Sequence, residues 1–465
     1  GTPNVCGQGS CVADCNGKAC GASDGCGGVC QSGACGTGQR CVAGSCVCDA
    51  TSCGSGCCGA SGVCNPGTAI DACGTGGALC ASCAVPSNGT ATCSGACGIA
   101  CAAGYTVCGG ACCAATKATA IGAGFRHACA VTTAGGVLCW GDNTYGELGD
   151  GTTTNRDAPV PVTGLTAGIQ AVALGEVFTC ALTTAGGVLC WGNNAYGMLG
   201  NGSTTNSAVP TAVSGLASGV TAIAAGDQHA CAVTGGGVEC WGTNVSGELG
   251  NGTKTNSDVP VHVSGLSGVV MVAAGTAHSC AMGSGGVACW GDNTDGELGD
   301  GMANQTQSLV PVTINPAYLS NVSAIAANGY YSCAIAGTGG VACWGLGDGA
   351  NVAWISPQGL DGVGPGVTQF SMGGAHSCYL IAGAASCIGE NQEGELGNGS
   401  TTTSVETPVA VSGLGSGVAA VAAGGFHTCA LTTDGRVQCW GRNLEGELGN
   451  GSTTDSLVPV TVSGF

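Results

Sequence analysis

The strongest constraint in this 465-residue chain is a cysteine pair that returns seven times within one repeated phrase. The last copy reads HTCALTTDGRVQCWGRNLEGELGNG, residues 427 to 451. If Cys429 and Cys439 lie opposite each other on two antiparallel strands, Leu431 faces Val437 and Thr433-Asp434-Gly435 forms the loop. A three-residue hairpin loop commonly ends in a residue with positive φ, and a glycine stands there. The same folding pairs Cys129 with Cys139, Cys180 with Cys190 and Cys333 with Cys343, and puts Gly135, Gly186 and Gly339 at that position. Three copies are one residue shorter, pairing Cys231 with Cys240, Cys280 with Cys289 and Cys378 with Cys387. They leave two-residue loops, Gly235-Gly236, Ser284-Gly285 and Ala382-Gly383, in which glycine takes the second position and is expected to carry positive φ. Spacing and loop length change together while the pairing survives, which predicts seven cross-strand disulfides.

Side-chain alternation says how such a hairpin is packed. Cys129, Val131, Val137 and Cys139 share one face, and Ala130, Leu138 and Trp140 share the other. Both faces are apolar, so the sheet is covered on both sides, unlike an open antiparallel sheet with a wet face. Each unit adds a run such as TAIAAG (221 to 226) before the hairpin and a strand such as VPVHVSG (259 to 265) after it. Four short strands per unit and seven units predict an all-β fold, a seven-bladed β-propeller over residues 118–465.

Residues 1–113 follow a different grammar. They hold 23 of the 37 cysteines and no apolar period long enough for a core, which predicts loop-dominated, disulfide-stapled modules joined to the propeller through 114–117. The phrases at 11 to 30 and 52 to 83 resemble small cysteine-rich stalk modules of exported bacterial proteins. An odd number of cysteines leaves at least one free or joined elsewhere. Zinc knuckles would need repeated C-x2-C pairs, and Cys80 with Cys83 is the single instance. So many cysteines point to a secreted or cell-surface location, and the start at Gly1 reads as a processed end. With a net charge of −19, the chain offers no positive footprint for nucleic acid or for an anionic membrane. Glycines break every apolar run before it reaches membrane-spanning length.

The repeated unit GGFHTCALTTDGRVQCWGRNLEGELGNG, residues 424 to 451, resembles the regulator of chromosome condensation (RCC1) repeat. That family's phrase is G-x-x-H-x-x-A-L-T-x-x-G-x-V-x-x-W-G-x-N-x-x-G-Q-L-G, and the likeness extends from about residue 118 to the end. The W-G anchor recurs at Trp140, Trp191, Trp241, Trp290, Trp344 and Trp440, with Ile388 in the sixth unit. The resemblance implies a seven-bladed propeller and a face that binds protein. Its best-known member exchanges nucleotide on a nuclear GTPase, a role that this acidic, cysteine-rich chain does not share in any visible feature. Glu147, Glu248, Glu297, Glu395 and Glu447 stand where the family has Gln, and Met198 takes that place in the second unit. The fifth unit, WGLGDGANVAW, lacks the loop, so a partner-facing feature is expected around units five and six.

His127, His229, His278, His376 and His427 occupy one repeat position, where Phe178 and Tyr331 stand in two other units. A ring of metal ligands is the sharper reading. A structural His bonding to backbone in each blade is the one that the resemblance implies, because blade symmetry keeps equivalent side chains apart. The turn DNTDGELGDG, residues 292 to 301, invites calcium, but its glycine spacing fails the EF-hand pattern and an Asx-type turn is expected. No cofactor is expected beyond that weak calcium reading. Sequons stand at Asn88, Asn201, Asn244, Asn251, Asn304, Asn321, Asn398 and Asn450; turn chemistry explains those in the propeller's N-G-S/T turn without sugar, and glycosylation stays open in a competent cell. No nucleophile elbow, H-E-x-x-H or phosphate loop occurs, so no enzyme is expected. The expected function is an exported, non-catalytic binding or adhesion protein that takes a protein or glycan ligand. A structural subunit assembled through self-association of the N-terminal region, and a secreted enzyme inhibitor, are the alternatives.

Overall fold

Seven four-stranded antiparallel sheets follow one another along the chain, each built from four consecutive strands. The computed structural model describes residues 115–302, 306–346, 354–402 and 404–465 (404–406 by backbone alone), and before residue 115 only the backbone of short paired strands. The chain divides near Ala115 into two units. In the first, Arg40–Val42 pairs with Ser45–Val47, Gly89–Cys93 with Cys97–Cys101, and Tyr105–Cys108 with Ala111–Ala114. The cysteine pairing expected there lies outside the described residues.

The second unit is the propeller. Blade 1 runs Ala118–Ala123, His127–Thr132, Val137–Gly141 and Arg156–Pro161, innermost strand first. Blade 7 runs Val418–Ala423, His427–Thr432, Val437–Gly441 and Ser456–Thr461. No strand is exchanged between first and last blades, so the ring closes through side chains and loop backbone. Ala118 donates to the Gly435 carbonyl and Gly425 to that of Gly124 across this seam.

The hairpins have the register that the spacing predicts. Cys129 faces Cys139, Leu431 faces Val437, and all seven pairs are disulfides with Cα atoms 4.0–4.1 Å apart. That separation is the narrow spacing of an opposed pair that exchanges no backbone hydrogen bonds. In the longer loops Gly135, Gly186, Gly339 and Gly435 have φ of 78 to 90°. Among the shorter ones, Gly235-Gly236 and Ala382-Gly383 have positive φ at both residues. Blade 4 differs. Its loop is Ser284-Gly285, but the left-handed residue is Gly286, one place later. A type I turn closed by a left-handed glycine absorbs the strand twist there in place of a mirror-image turn.

Each disulfide face packs on the next blade. Cys129, Val131, Val137 and Cys139 cluster with Trp191 of blade 2, and Cys429, Leu431, Val437 and Cys439 cluster with Trp140 of blade 1. The glycine after each Trp has φ near 100°, and a Cβ on Gly141 would lie 2.5 Å from the Arg126 carbonyl oxygen, so W-G admits no larger residue. In blade 6, Ile388 replaces the Trp, and the facing cluster around Cys333 and Cys343 is filled by Tyr379 and Met372.

Candidate functional site: the loop face of the ring

Strand direction sorts the loops onto two faces. The turns between first and second strands, such as Gly124–Arg126, and the long loops after W-G open on one face. The cysteine hairpins open on the other. On the loop face the six Trp anchors and four of the five His anchors are spent on joining blades.

His127 Nε2 lies 2.8 Å from Thr179 Oγ1 of the next blade, and Thr179 donates to the Glu147 carbonyl at 3.0 Å. Trp191 Nε1 donates to the same carbonyl at 2.7 Å. Because the hydroxyl proton is committed to the carbonyl, the imidazole must donate from Nε2. The relay recurs as His229 to Ser279, His278 to Ser332 and His376 to Thr428. Tyr331 OH reaches Ser377 Oγ at 2.7 Å in the same way. The imidazoles therefore bond a hydroxyl of the neighbouring blade, and the backbone bond expected of them is made one link later by that hydroxyl. Burial holds His127, His278 and His376 down at about 4, and His229 and His427 at about 3, so all five are neutral near pH 7.

The hydroxyl partners carry a signal that motif reading missed. Phe178, which cannot donate, faces a blade with Ala230 where its neighbours have Ser or Thr. The exception is the closing seam, where His427 meets Ala128 and neither ring nitrogen has a partner. Ala128→Thr should supply the missing link between His427 and the Glu447 carbonyl that Trp140 already contacts at 2.8 Å. Satisfying a buried orphan donor is worth about 1–2 kcal/mol. The gain is read as a higher urea midpoint at unchanged slope; an unchanged or lower midpoint contradicts the relay.

The long loops are held from inside. Asn143 Oδ1 accepts from Leu148 N, while its Nδ2 donates to the carbonyls of Thr152 and Thr154. Asn194, Asn244 and Asn443 repeat the pattern. Oε2 of Glu147 accepts the amide of Tyr145 at 2.8 Å, and Glu248, Glu297, Glu395 and Glu447 do the same two residues back. These five carboxyls are buried; Oε1 of Glu147 and Glu248 has no hydrogen-bond partner, and that of Glu447 lies 3.9 Å from Arg442 Nε. Burial pushes Glu147 and Glu297 up to about 7 and raises the other three as well. In each of these loops a buried carboxyl group stands where the family has an amide.

At the ring centre a channel of about 440 Å³ is lined by Ala, Gly, Val, Ile and Leu from the inner strands, with Asn328, Gln369 and Ser371 adding polar groups in blades 5 and 6. At its mouth Glu176 and Asp227 are neighbours. Burial pushes Asp227 up to about 6, against a hydrogen bond from Thr276, and the Glu176 charge adds to the rise. Beside them, at the closing seam, Phe125 and Phe426 meet edge to face at 5.2 Å, with Arg126 over one ring and Arg442 over the other.

Among the described residues no group of three His, Cys, Asp or Glu is arranged to hold a metal. In the acidic turn, Asp292 Oδ1 accepts from the amides of Asn293 and Thr294 and from the Thr294 hydroxyl, and Asp300 accepts from Met302 N. These are Asx turns, and every acceptor named is satisfied from within the loop. The sequon Asn244 is fully buried, and Asn201, Asn251, Asn398 and Asn450 accept from the amide two residues on. Asn88, Asn304 and most of the fifth unit's altered loop lie outside the described residues.

Known proteins share this architecture. The regulator of chromosome condensation (RCC1) repeat matches residues 134–182, 185–233, 236–282, 387–431 and 434–465, and a second description of it matches 118–147, 169–197 and 418–447. The ultraviolet-B receptor UVR8 of Arabidopsis thaliana is 31% identical over 358 residues, covering 74% of this chain and 70% of the receptor. The human E3 ubiquitin-protein ligase HERC2 is 32% identical over 360 residues, 75% of this chain but 5% of the ligase. In fold, Prp20p of Saccharomyces cerevisiae superposes with a TM-score of 0.61 at 22% identity, covering 75% of this chain and 87% of that one. Human WBSCR16 gives 0.60 at 24%, covering 68% and 87%. The chain is a member of the regulator of chromosome condensation (RCC1) repeat family.

Proposed function

We propose that this is an exported or cell-surface, non-catalytic binding protein that holds a partner protein on the loop face of its propeller. The observation that carries this reading is a row of exposed apolar side chains on loops that are otherwise fixed by a buried Asn and a buried Glu, or Met198 in blade 2. Leu444, Tyr145, Tyr196 and Val245 are 40–62% exposed, at neighbouring tips of successive blades. Large side chains held out by a rigid scaffold lose little conformational entropy on binding. A yeast protein of the same fold has been seen bound to Kap60, so a ring of this shape can carry a protein partner. Export rests on the disulfides, which a reducing cytosol would not preserve. The odd cysteine count of residues 1–113 keeps self-association through that region as the second reading.

A photo-crosslinking residue at Tyr196 on the loop face, and another at the exposed Thr433 on the hairpin face, separates the outcomes. With the extracellular and surface proteins of the producing cells, discrete adducts are expected from position 196 and none from 433. Adducts from both faces alike, or from neither, contradict the reading.

A further inference from the structure

At the tips of the loops after W-G the exposed apolar residues form an arc on one side of the ring, with Met302 (60%) and Tyr330 (52%) exposed on the same face outside it. The arc runs Leu444 (59%), Tyr145 (40%), Tyr196 (48%) and Val245 (62%) through blades 7, 1, 2 and 3. In blade 4 the same tip carries Thr294 and Asp295, and in blade 6 Gln392 and Glu393. The arc is continuous because each loop leans on the following blade. A Cβ on Gly446 would meet Asp157 of blade 1 at 2.6 Å, one on Gly146 would meet Ala208 of blade 2 at 2.6 Å, and one on Gly197 would meet Asp258 of blade 3 at 2.5 Å. Asn155 also ties blade 1 to the blade 7 tip through Glu445, at 2.6 Å.

Carboxylates surround this arc. Asp142, Asp157, Asp258 and Glu445 sit on its loops and outer strands, all solvent-accessible, and Glu176 and Asp227 lie at the channel mouth beside it. The cations on the same face are engaged within the chain. Arg156 holds Asp150 at 2.7 Å, Lys254 donates to Gln307, and Arg126 and Arg442 lie over the two phenylalanine rings. The hairpin face differs: the acid at the tip of the blade 7 hairpin, Asp434, is neutralised by Arg436 at 2.8 Å. Contact with a ring or a neutral amide leaves a cation's charge in place, so Arg126, Arg442 and Lys254 stand against six carboxylates, and a partner that covers the apolar arc buries its rim against net negative charge. Like charge there would oppose docking, and positive charge would steer it.

We propose that the arc binds a basic segment of a partner protein, with Lys or Arg side chains meeting the carboxylates and apolar side chains covering Leu444, Tyr145 and Tyr196. The inference rests on the loop face being the protein-binding face and adds the chemistry of what binds. An acidic or purely apolar segment leaves the rim charges unmatched, and a polycation without apolar groups leaves the arc uncovered.

Three labelled peptides of equal length, Lys/Leu, Glu/Leu and Lys/Ser, are titrated onto the full chain by fluorescence polarisation, in about 0.05 M and about 0.5 M salt. The Lys/Leu peptide is expected to bind, and to bind at least about tenfold more tightly than either of the others, with affinity falling at the higher salt. Asp142→Asn with Glu445→Gln, which keep the acceptors for Thr144 and Asn155, should weaken it about tenfold. Leu444→Ser with Tyr145→Ser should do the same, while Asp434→Asn on the far face leaves affinity unchanged. Matching thermal melts show that the variants fold. No binding of the Lys/Leu peptide, equal loss in Asp434→Asn, or no loss in the Leu444/Tyr145 variant overturns the proposal. If adducts still form from position 196 after such a result, only the partner chemistry fails. If they do not, the loop-face reading fails with it.

Discussion

Reducing the seven blade disulfides is expected to unfold the propeller at a urea concentration that leaves the oxidised protein fully folded. Each crosslink closes a loop of about ten residues, for which the chain-entropy estimate is roughly 2.5 kcal/mol. Seven of them rival the whole stability of an ordinary domain, about 5–15 kcal/mol, even after non-additivity is allowed for. Their neighbours do little to compensate, because the innermost strands are runs such as VTAIAA and VAAVAA. Removing one pair, Cys280→Ala with Cys289→Ala, should lower stability by about 2–4 kcal/mol, since the sulfurs also fill the contact with Trp344 in the next blade. Urea melts with and without a phosphine reductant make the comparison. Superimposable curves, with the thiols shown to be reduced, would remove the crosslinks from the account of stability.

The second large effect is a pH dependence with an unusual sign. Glu147 and Glu297 ionise at about 7 in the folded ring, against 4.5 for a free glutamate side chain. The native state therefore holds their protons more tightly than the unfolded chain does. The stabilisation is complete below about pH 4.5 and is lost as pH rises through 7. The five buried imidazoles act oppositely. Their contribution is complete above about pH 6.5 and is lost as pH falls towards 3 to 4. The two slopes oppose each other across the overlap, so the wild-type profile is flatter than either alone. Glu147→Gln and Glu297→Gln keep the acceptor for the amide two residues back and remove the titration. Each should stabilise the protein by about 2 kcal/mol at pH 8 and by nothing measurable at pH 4. Urea midpoints at the two pH values read the difference. An equal gain at both would assign the effect to packing, and a loss at pH 8 would mean that the carboxylate is stabilising.

How much of this was legible in the sequence depended on whether the physics was local. Cys429 and Cys439 fixed register, loop length and the site of Gly435 together, because all three follow from one hairpin. Ser284-Gly285 fell short because two turn types fit the same loop length, and the choice between them lies in the backbone of Gly286. The imidazoles were read as blade-internal because a motif shows one unit at a time. Their partners, Thr179, Ser279, Ser332 and Thr428, stand about fifty residues on, across a seam. Comparing each His, Tyr or Phe with the residue that follows the next unit's aromatic would have exposed the pairing, since Phe178 alone among the six seams inside the chain faces an alanine. The arc of Leu444, Tyr145 and Tyr196 was not legible in the motif, because these residues sit in regular loops and differ only in what those loops hold out to solvent.

Peptide mapping of the unreduced protein tests the central claim most directly, because the rigidity of the blades and the proposed export both rest on which sulfurs are joined. Digestion at acid pH followed by mass spectrometry should return seven crosslinked hairpins, Cys129 with Cys139 through Cys429 with Cys439, each within one blade. Fourteen free thiols in the native protein, or links running from one blade to the next, would contradict it.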